Sequence, residues 1–139
     1  MKNSIFVLIV LSALQLFAHG EDKPGPHGGK IEMTKNVHTE VAADKDGSFH
    51  IFLLDGNLLN PTVKNSSLDG SIKTSKEEIK LDCSVMGGTH YHCKSKAVRP
   101  KDGKLNLKAN RDGVVVDVSY DLKAFDEVLK EKKETSHHH

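Results

Sequence analysis

Five Asp-Gly pairs punctuate this chain, at Asp46-Gly47, Asp55-Gly56, Asp69-Gly70, Asp102-Gly103 and Asp112-Gly113. Each supplies the left-handed backbone that a tight hairpin loop needs. The stretches between them are short and often alternate apolar with polar residues, so strands are expected over 30–34, 36–43, 48–54, 62–65, 70–74, 77–86, 89–97, 104–109 and 113–121. Short strands divided by glycine turns bury a core as an antiparallel sandwich or barrel. The expected fold class is all-β, an antiparallel immunoglobulin-like β-sandwich with a short C-terminal helix or tail. A length of 139 residues leaves room for one such domain, over residues 30–121.

The flanks read differently. Lys2 precedes an apolar run from Ile5 to Phe17 that is too short to cross a bilayer and is followed by small residues. Residues 1–20 therefore read as a signal peptide, cut after Gly20 or, less conventionally, after Ala18. The second cut would leave His19 first, able to clamp Cu(II) through its amine and ring. A periplasmic or secreted protein is expected, with no stable membrane insertion after cleavage. Residues 21–29 hold two prolines and three glycines and no core-forming side chain, which reads as a flexible arm. From 122 to 139 the pattern becomes that of a helical or disordered tail. Leu122, Phe125 and Leu129 recur at helical spacing, Asp121 can cap, and Lys130, Lys132 and Lys133 suit a helix C-terminus. The final His137-His138-His139 reads as native metal-binding sequence or as a tag remnant, and carries no part of the site argument.

Composition narrows the function. Removing residues 1–20 takes away one lysine and no acid, which leaves basic and acidic residues equal in number. A balanced surface gives no electrostatic reason to bind nucleic acid or anionic membrane. Gly-x-Ser-x-Gly, His-Glu-x-x-His and phosphate-binding glycine loops are all missing, so no enzyme is expected. Cys93 and His92 cannot form a nucleophilic dyad directly, because neighbouring strand residues point to opposite faces.

Two hairpins can be worked out residue by residue. Asp44-Lys45-Asp46-Gly47 suits a type I turn with a glycine bulge, which sets Val41 opposite Ile51, Ala42 opposite His50 and Ala43 opposite Phe49. The apolar sets then share one face. His38, Glu40 and His50 share the other, with Phe52 and Leu54 beyond them. At Arg111-Asp112-Gly113 the same bulged turn would set the Val114, Val116, Val118, Tyr120 series against Asn106 and Lys108. A loop of two or four residues fits that hydrophobic pattern better.

Eleven residues, Cys83 to Cys93, hold both cysteines together with Met86, His90 and His92. A disulfide is one reading, favoured by export. Thiolates on zinc or Cu(I) are another, and require a reduced site. A three-residue turn over Gly87-Gly88-Thr89 places Cys83 opposite Cys93; a two-residue Gly-Gly turn places it opposite His92. The first register puts Cys83, Val85, Tyr91 and Cys93 on one face and Met86, His90 and His92 on the other. Two imidazoles at alternate strand positions lie about 6–7 Å apart at the backbone, close enough to chelate one ion. Met86 beside them favours copper over calcium or magnesium.

Pro26-His27-Gly28-Gly29-Lys30-Ile31, Val37-His38-Thr39-Glu40-Val41, Phe49-His50-Ile51-Phe52-Leu53-Leu54-Asp55, Asn60-Pro61 and Thr89-His90-Tyr91-His92 resemble a small exported domain of bacterial periplasmic proteins. That domain is associated with heavy-metal efflux and copper handling. The resemblance covers most of residues 26–121, and the Cys83/Cys93 pair departs from its pattern. It implies a metal ion as ligand and a metal efflux or transport protein as partner. The expected function is a transition-metal carrier, buffer or sensor, for copper or alternatively zinc. His27, folded back beside His38, would join His90 and His92, with Glu40, His50 and Met86 as further ligands. Because neutral imidazole is the ligand, affinity should weaken as pH falls through about 6.5. The rival reading is a structural or protein-interaction module whose histidines are incidental.

Overall fold

A computed structural model describes residues 23–126. The expected leader, the first residues of the arm, Leu129 and the terminal histidines lie outside them. Nine strands follow in order: β1 Lys30–Met33, β2 His38–Ala43, β3 Phe49–Leu54, β4 Ser66–Lys73, β5 Glu78–Lys80, β6 Asp82–Met86, β7 His90–Lys94, β8 Lys104–Arg111 and β9 Val114–Asp121. They form two antiparallel sheets, ordered β1-β2-β3-β7-β6 and β5-β4-β8-β9, in an all-β sandwich.

The first hairpin has the register that its turn and pattern require. Val41 faces Ile51, Ala42 faces His50 and Ala43 faces Phe49, while the Asp44 N–H donates to the Ser48 carbonyl and the Gly47 N–H to that of Asp44. Val41, Phe49, Ile51 and Leu53 consequently point inward and are fully buried. The last hairpin closes on two residues, with Arg111 opposite Val114 and Asp112 and Gly113 at φ 51° and 84°. This puts Leu105, Leu107 and Ala109 opposite Tyr120, Val118 and Val116, as the hydrophobic pattern demands.

Elsewhere the strand boundaries differ from expectation. Residues 62–65 belong to the crossing between sheets, and β4 begins at Ser66, which leaves Asp69-Gly70 inside a strand. The stretch 77–86 divides at Leu81. Leu81 is buried and donates its N–H to the Gly70 carbonyl at 2.9 Å. The chain turns a corner there, so that β5 pairs with β4 while β6 pairs with β7 in the other sheet.

The opposite corner is latched by a side chain. The Tyr120 hydroxyl donates to the Thr39 carbonyl at 2.9 Å and accepts from the Glu32 N–H at 3.1 Å and from Thr39 Oγ1 at 2.6 Å. Burial pushes this hydroxyl's pKa well up. Within the described residues the expected C-terminal helix starts at 123 and is followed as far as 126, with Asp121 accepting the Lys123 N–H at 3.0 Å. Leu122, just before it, and Phe125 fill the end of the core, where Phe125 meets Phe49 edge-on at 5.5 Å. Among the described residues no helix is long and apolar enough to cross a membrane.

Candidate metal-binding face

Strand alternation sends one side of the five-stranded sheet outward, and its registers align the polar residues in two rows. Glu40 faces Phe52 across β2–β3, His90 continues that row on β7, and Met86 faces His90 across β6–β7. In the next row Ala42 faces His50, His50 faces His92, and His92 faces Ser84. Three histidines and a methionine thus become neighbours from three different strands.

The arm supplies a fourth histidine. Glu40 is fully buried, and its carboxylate accepts three hydrogen bonds from residues 27–29. The N–H groups of His27 and Gly29 donate to Oε2 at 2.8 and 2.9 Å, and His27 Nδ1 donates to Oε1 at 2.7 Å. A buried carboxylate needs such donors, since leaving its charge unpaired would cost several kcal/mol, about 3–5 in comparable cases. The arm therefore closes on itself instead of trailing. Gly25 N–H reaches the Gly29 carbonyl at 2.7 Å, and a Cβ on Gly25 would lie 2.4 Å from Glu40 Oε2. His27 stacks on Phe52 with ring centroids 3.9 Å apart and planes 5° apart. His90 stacks on Phe52 from the β7 side at 4.5 Å.

The hydrogen-bond network identifies the proton-bearing nitrogen of each ring. A carboxylate only accepts, so His27 carries a proton on Nδ1, and in its neutral form Nε2 is the lone pair. His50 Nε2 faces Asp44 Oδ2 at 3.4 Å, which leaves Nδ1 as the lone pair. The Ser48 hydroxyl donates to Asp46 Oδ1 and must therefore accept from His92 Nε2, 3.0 Å away, leaving His92 Nδ1 unprotonated. His90 Nε2 lies 3.1 Å from His50 Nδ1, and Thr89 Oγ1 lies 2.9 Å from His90 Nδ1. With His50 Nδ1 an acceptor, His90 donates from Nε2 and the Thr89 hydroxyl donates to its other nitrogen. A hydroxyl can equally accept, so moving the His90 proton to Nδ1 breaks no rule at Thr89. Burial lowers the His90 pKa below the usual imidazole value, and the neighbouring His50, His27 and His92 lower it further. His90 thus favours its neutral form.

His27 folds back as expected, but onto Glu40 and Phe52. His38 is not brought to the cluster. It lies four residues, about 13 Å of strand, from the Ala42 position opposite His50. Being buried, it needs partners for both nitrogens and finds them in the Thr34 N–H at 3.2 Å and the Gly56 carbonyl at 3.2 Å. Both His38 nitrogens are thus engaged away from the cluster, and Glu40 directs its three hydrogen bonds to the arm. His50, His90 and His92 come together, with Met86 half-exposed at their edge. The thiolate reading is overturned: Cys83 and Cys93 form a disulfide across directly opposed positions, and Cys93 is fully buried. Val85, expected on the core side, is 57% exposed because β6 is the outermost strand of its sheet.

Among the described residues no group of three or more His, Cys, Asp or Glu side chains is gathered closely enough to hold a metal ion as they stand. Two imidazole nitrogens do meet, at 3.1 Å, in the His50–His90 pair. Asp44, Ser48, Asp46 and Thr89, which orient these rings, were not singled out from sequence, although Asp44 and Asp46 flank the turn that carries β3 back past β2. Compared with known protein families, curated proteins and solved structures, the chain finds no match.

Proposed function

We propose that this protein binds a transition-metal ion on the outer face of its five-stranded sheet, as a carrier, buffer or sensor, with copper the favoured ion and zinc the alternative. The observation that carries this reading is the 3.1 Å approach of His50 Nδ1 to His90 Nε2. Two imidazole nitrogens bound to one ion at about 2.0–2.1 Å each are about 2.9 Å apart at the right angle of tetragonal copper and about 3.4 Å apart at the tetrahedral angle of zinc. The pair therefore has the spacing of two ligands, and each ring's other nitrogen already has an oxygen partner, the arrangement that fixes ligand histidines. Neutral imidazole is the ligating form, and the lowered pKa of His90 favours it. Met86, directly across from His90, adds a thioether that suits copper. His92, Met86 or solvent would complete the coordination.

The disulfide and the sequence of residues 1–20 support a periplasmic or secreted location. The resemblance to domains associated with copper handling supports a metal efflux or transport protein as partner. Calorimetric titration with Cu(II) and with Zn(II) tests the reading, using the full chain with His137, His138 and His139 changed to Ala. One ion per chain should bind, and His50→Ala with His90→Ala should weaken binding at least tenfold. Unchanged binding in that variant would remove the basis of the proposal.

A further inference from the structure

Glu40 commits a fully buried carboxylate to one task. Its three hydrogen bonds all go to residues 27–29, and the side chain they hold is a histidine about one-third exposed. A backbone turn could have been satisfied without burying a charge, and a core residue in its place would have cost nothing in desolvation. The distinctive product of this arrangement is the state of His27: ring stacked flat on Phe52, proton fixed on Nδ1, lone pair presented at Nε2.

We infer that His27 is a second metal-ligating position on this face, acting through Nε2, and that Glu40 is the positioning residue that fixes it in that form. The inference rests on reading the face as metal-binding. The position is separate from the His50–His90 pair, because Phe52 stands between the rings, 3.9 Å from His27 and 4.5 Å from His90. A single imidazole holds an ion weakly and openly, which suits a station where Zn(II) or Cu(II) arrives or leaves beside a tighter pair.

The substitution Glu40→Gln isolates the device. Its amide oxygen can still accept the two backbone N–H groups at the Oε2 position. Its amide nitrogen then faces His27 Nδ1 and must donate to it, which drives the ring proton to Nε2 and removes the lone pair there. A purely structural Glu40 would leave the tautomer without consequence.

The test is nitrogen NMR of histidine side chains in the full chain with His137, His138 and His139 changed to Ala, titrated with Zn(II) at pH 8. In the parent, metal-free His27 should be the Nδ1–H tautomer, and Zn(II) should shift its Nε2 resonance, also when His50→Ala and His90→Ala are introduced. In Glu40→Gln, His27 should become the Nε2–H tautomer and need at least tenfold more Zn(II), while His50 responds as before. If that variant does not fold, the parent's tautomer and Zn(II) response decide the matter. A parent His27 in the Nε2–H form, or one that stays unshifted while His50 and His90 respond, overturns this inference and leaves the proposed function standing. Silence at all the histidines toward Zn(II), together with no calorimetric binding of Cu(II), overturns both.

Discussion

Replacing Cys83 and Cys93 together by Ala should weaken the fold substantially while leaving the proposed metal binding at the His50–His90 pair intact. The bridge closes a loop of sequence separation 10. Chain-entropy reasoning assigns such a loop about 2.7 kcal/mol of stabilisation at 25 °C. Cys93 is fully buried against the core, so removing its sulfur adds a packing loss, for a total of about 3–4 kcal/mol. For a domain of this size that corresponds to a fall of roughly 1–3 M in the urea midpoint. The pair should survive because the bridge lies on the inner face and joins β7 only to β6. The position of His90 relative to His50 is set by β3–β7 pairing, with Phe49 opposite Cys93, His50 opposite His92 and Ile51 opposite Tyr91. Urea denaturation followed by circular dichroism gives the first quantity and calorimetry with Zn(II) the second. A midpoint shift below about 0.3 M, or lost zinc binding in a variant that still folds, would refute the division of the hairpin into an inner staple and an outer site.

Three further outcomes follow from the same contacts. The folded chain holds the His90 pKa below the usual 6.5, so it binds fewer protons than the unfolded chain as pH falls through that region; stability should drop on acidification below about 6.5, level off above it, and lose this component in His90→Gln, as urea midpoints across pH 5 to 8 would show. Phe125→Ala should cost about 3–5 kcal/mol, because the ring is buried at the end of the core against Phe49 and Tyr120, and a small shift in thermal midpoint would contradict that placement. Tyr120→Phe should cost about 1–3 kcal/mol by leaving the Glu32 N–H and the Thr39 carbonyl without their hydroxyl partner, with faster amide exchange at Glu32 as its local sign.

Much of the sandwich was legible in the sequence because period-2 alternation leaves little freedom in register. At the first hairpin a slip of one residue would have turned Val41 and Ile51 to different faces, and at the last one the valine series pointed to a loop of two or four residues, of which the chain takes two. The corner at Leu81 was not legible. An apolar residue inside an extended run gives no sign that its N–H will bond to Gly70 of the other sheet. The outer-face grouping of Met86, His90 and His92 followed from placing the turn, whereas the role of His27 depended on a contact between residues 13 apart that no local pattern announces. His38 and His50 look alike in sequence, each on an outward position of its strand. What separates them is the loop around Gly56, whose carbonyl engages His38 and which only the folded chain puts there.

The most direct measurement is anomalous diffraction from a crystal of the full chain, with His137, His138 and His139 changed to Ala, soaked in Cu(II) or Zn(II). A strong peak is expected between His50 Nδ1 and His90 Nε2, with both rings holding their present rotamers and Thr89 still beside His90 Nδ1. A peak at His38, metal only at scattered surface carboxylates, or none at the His50–His90 pair would contradict the proposed site.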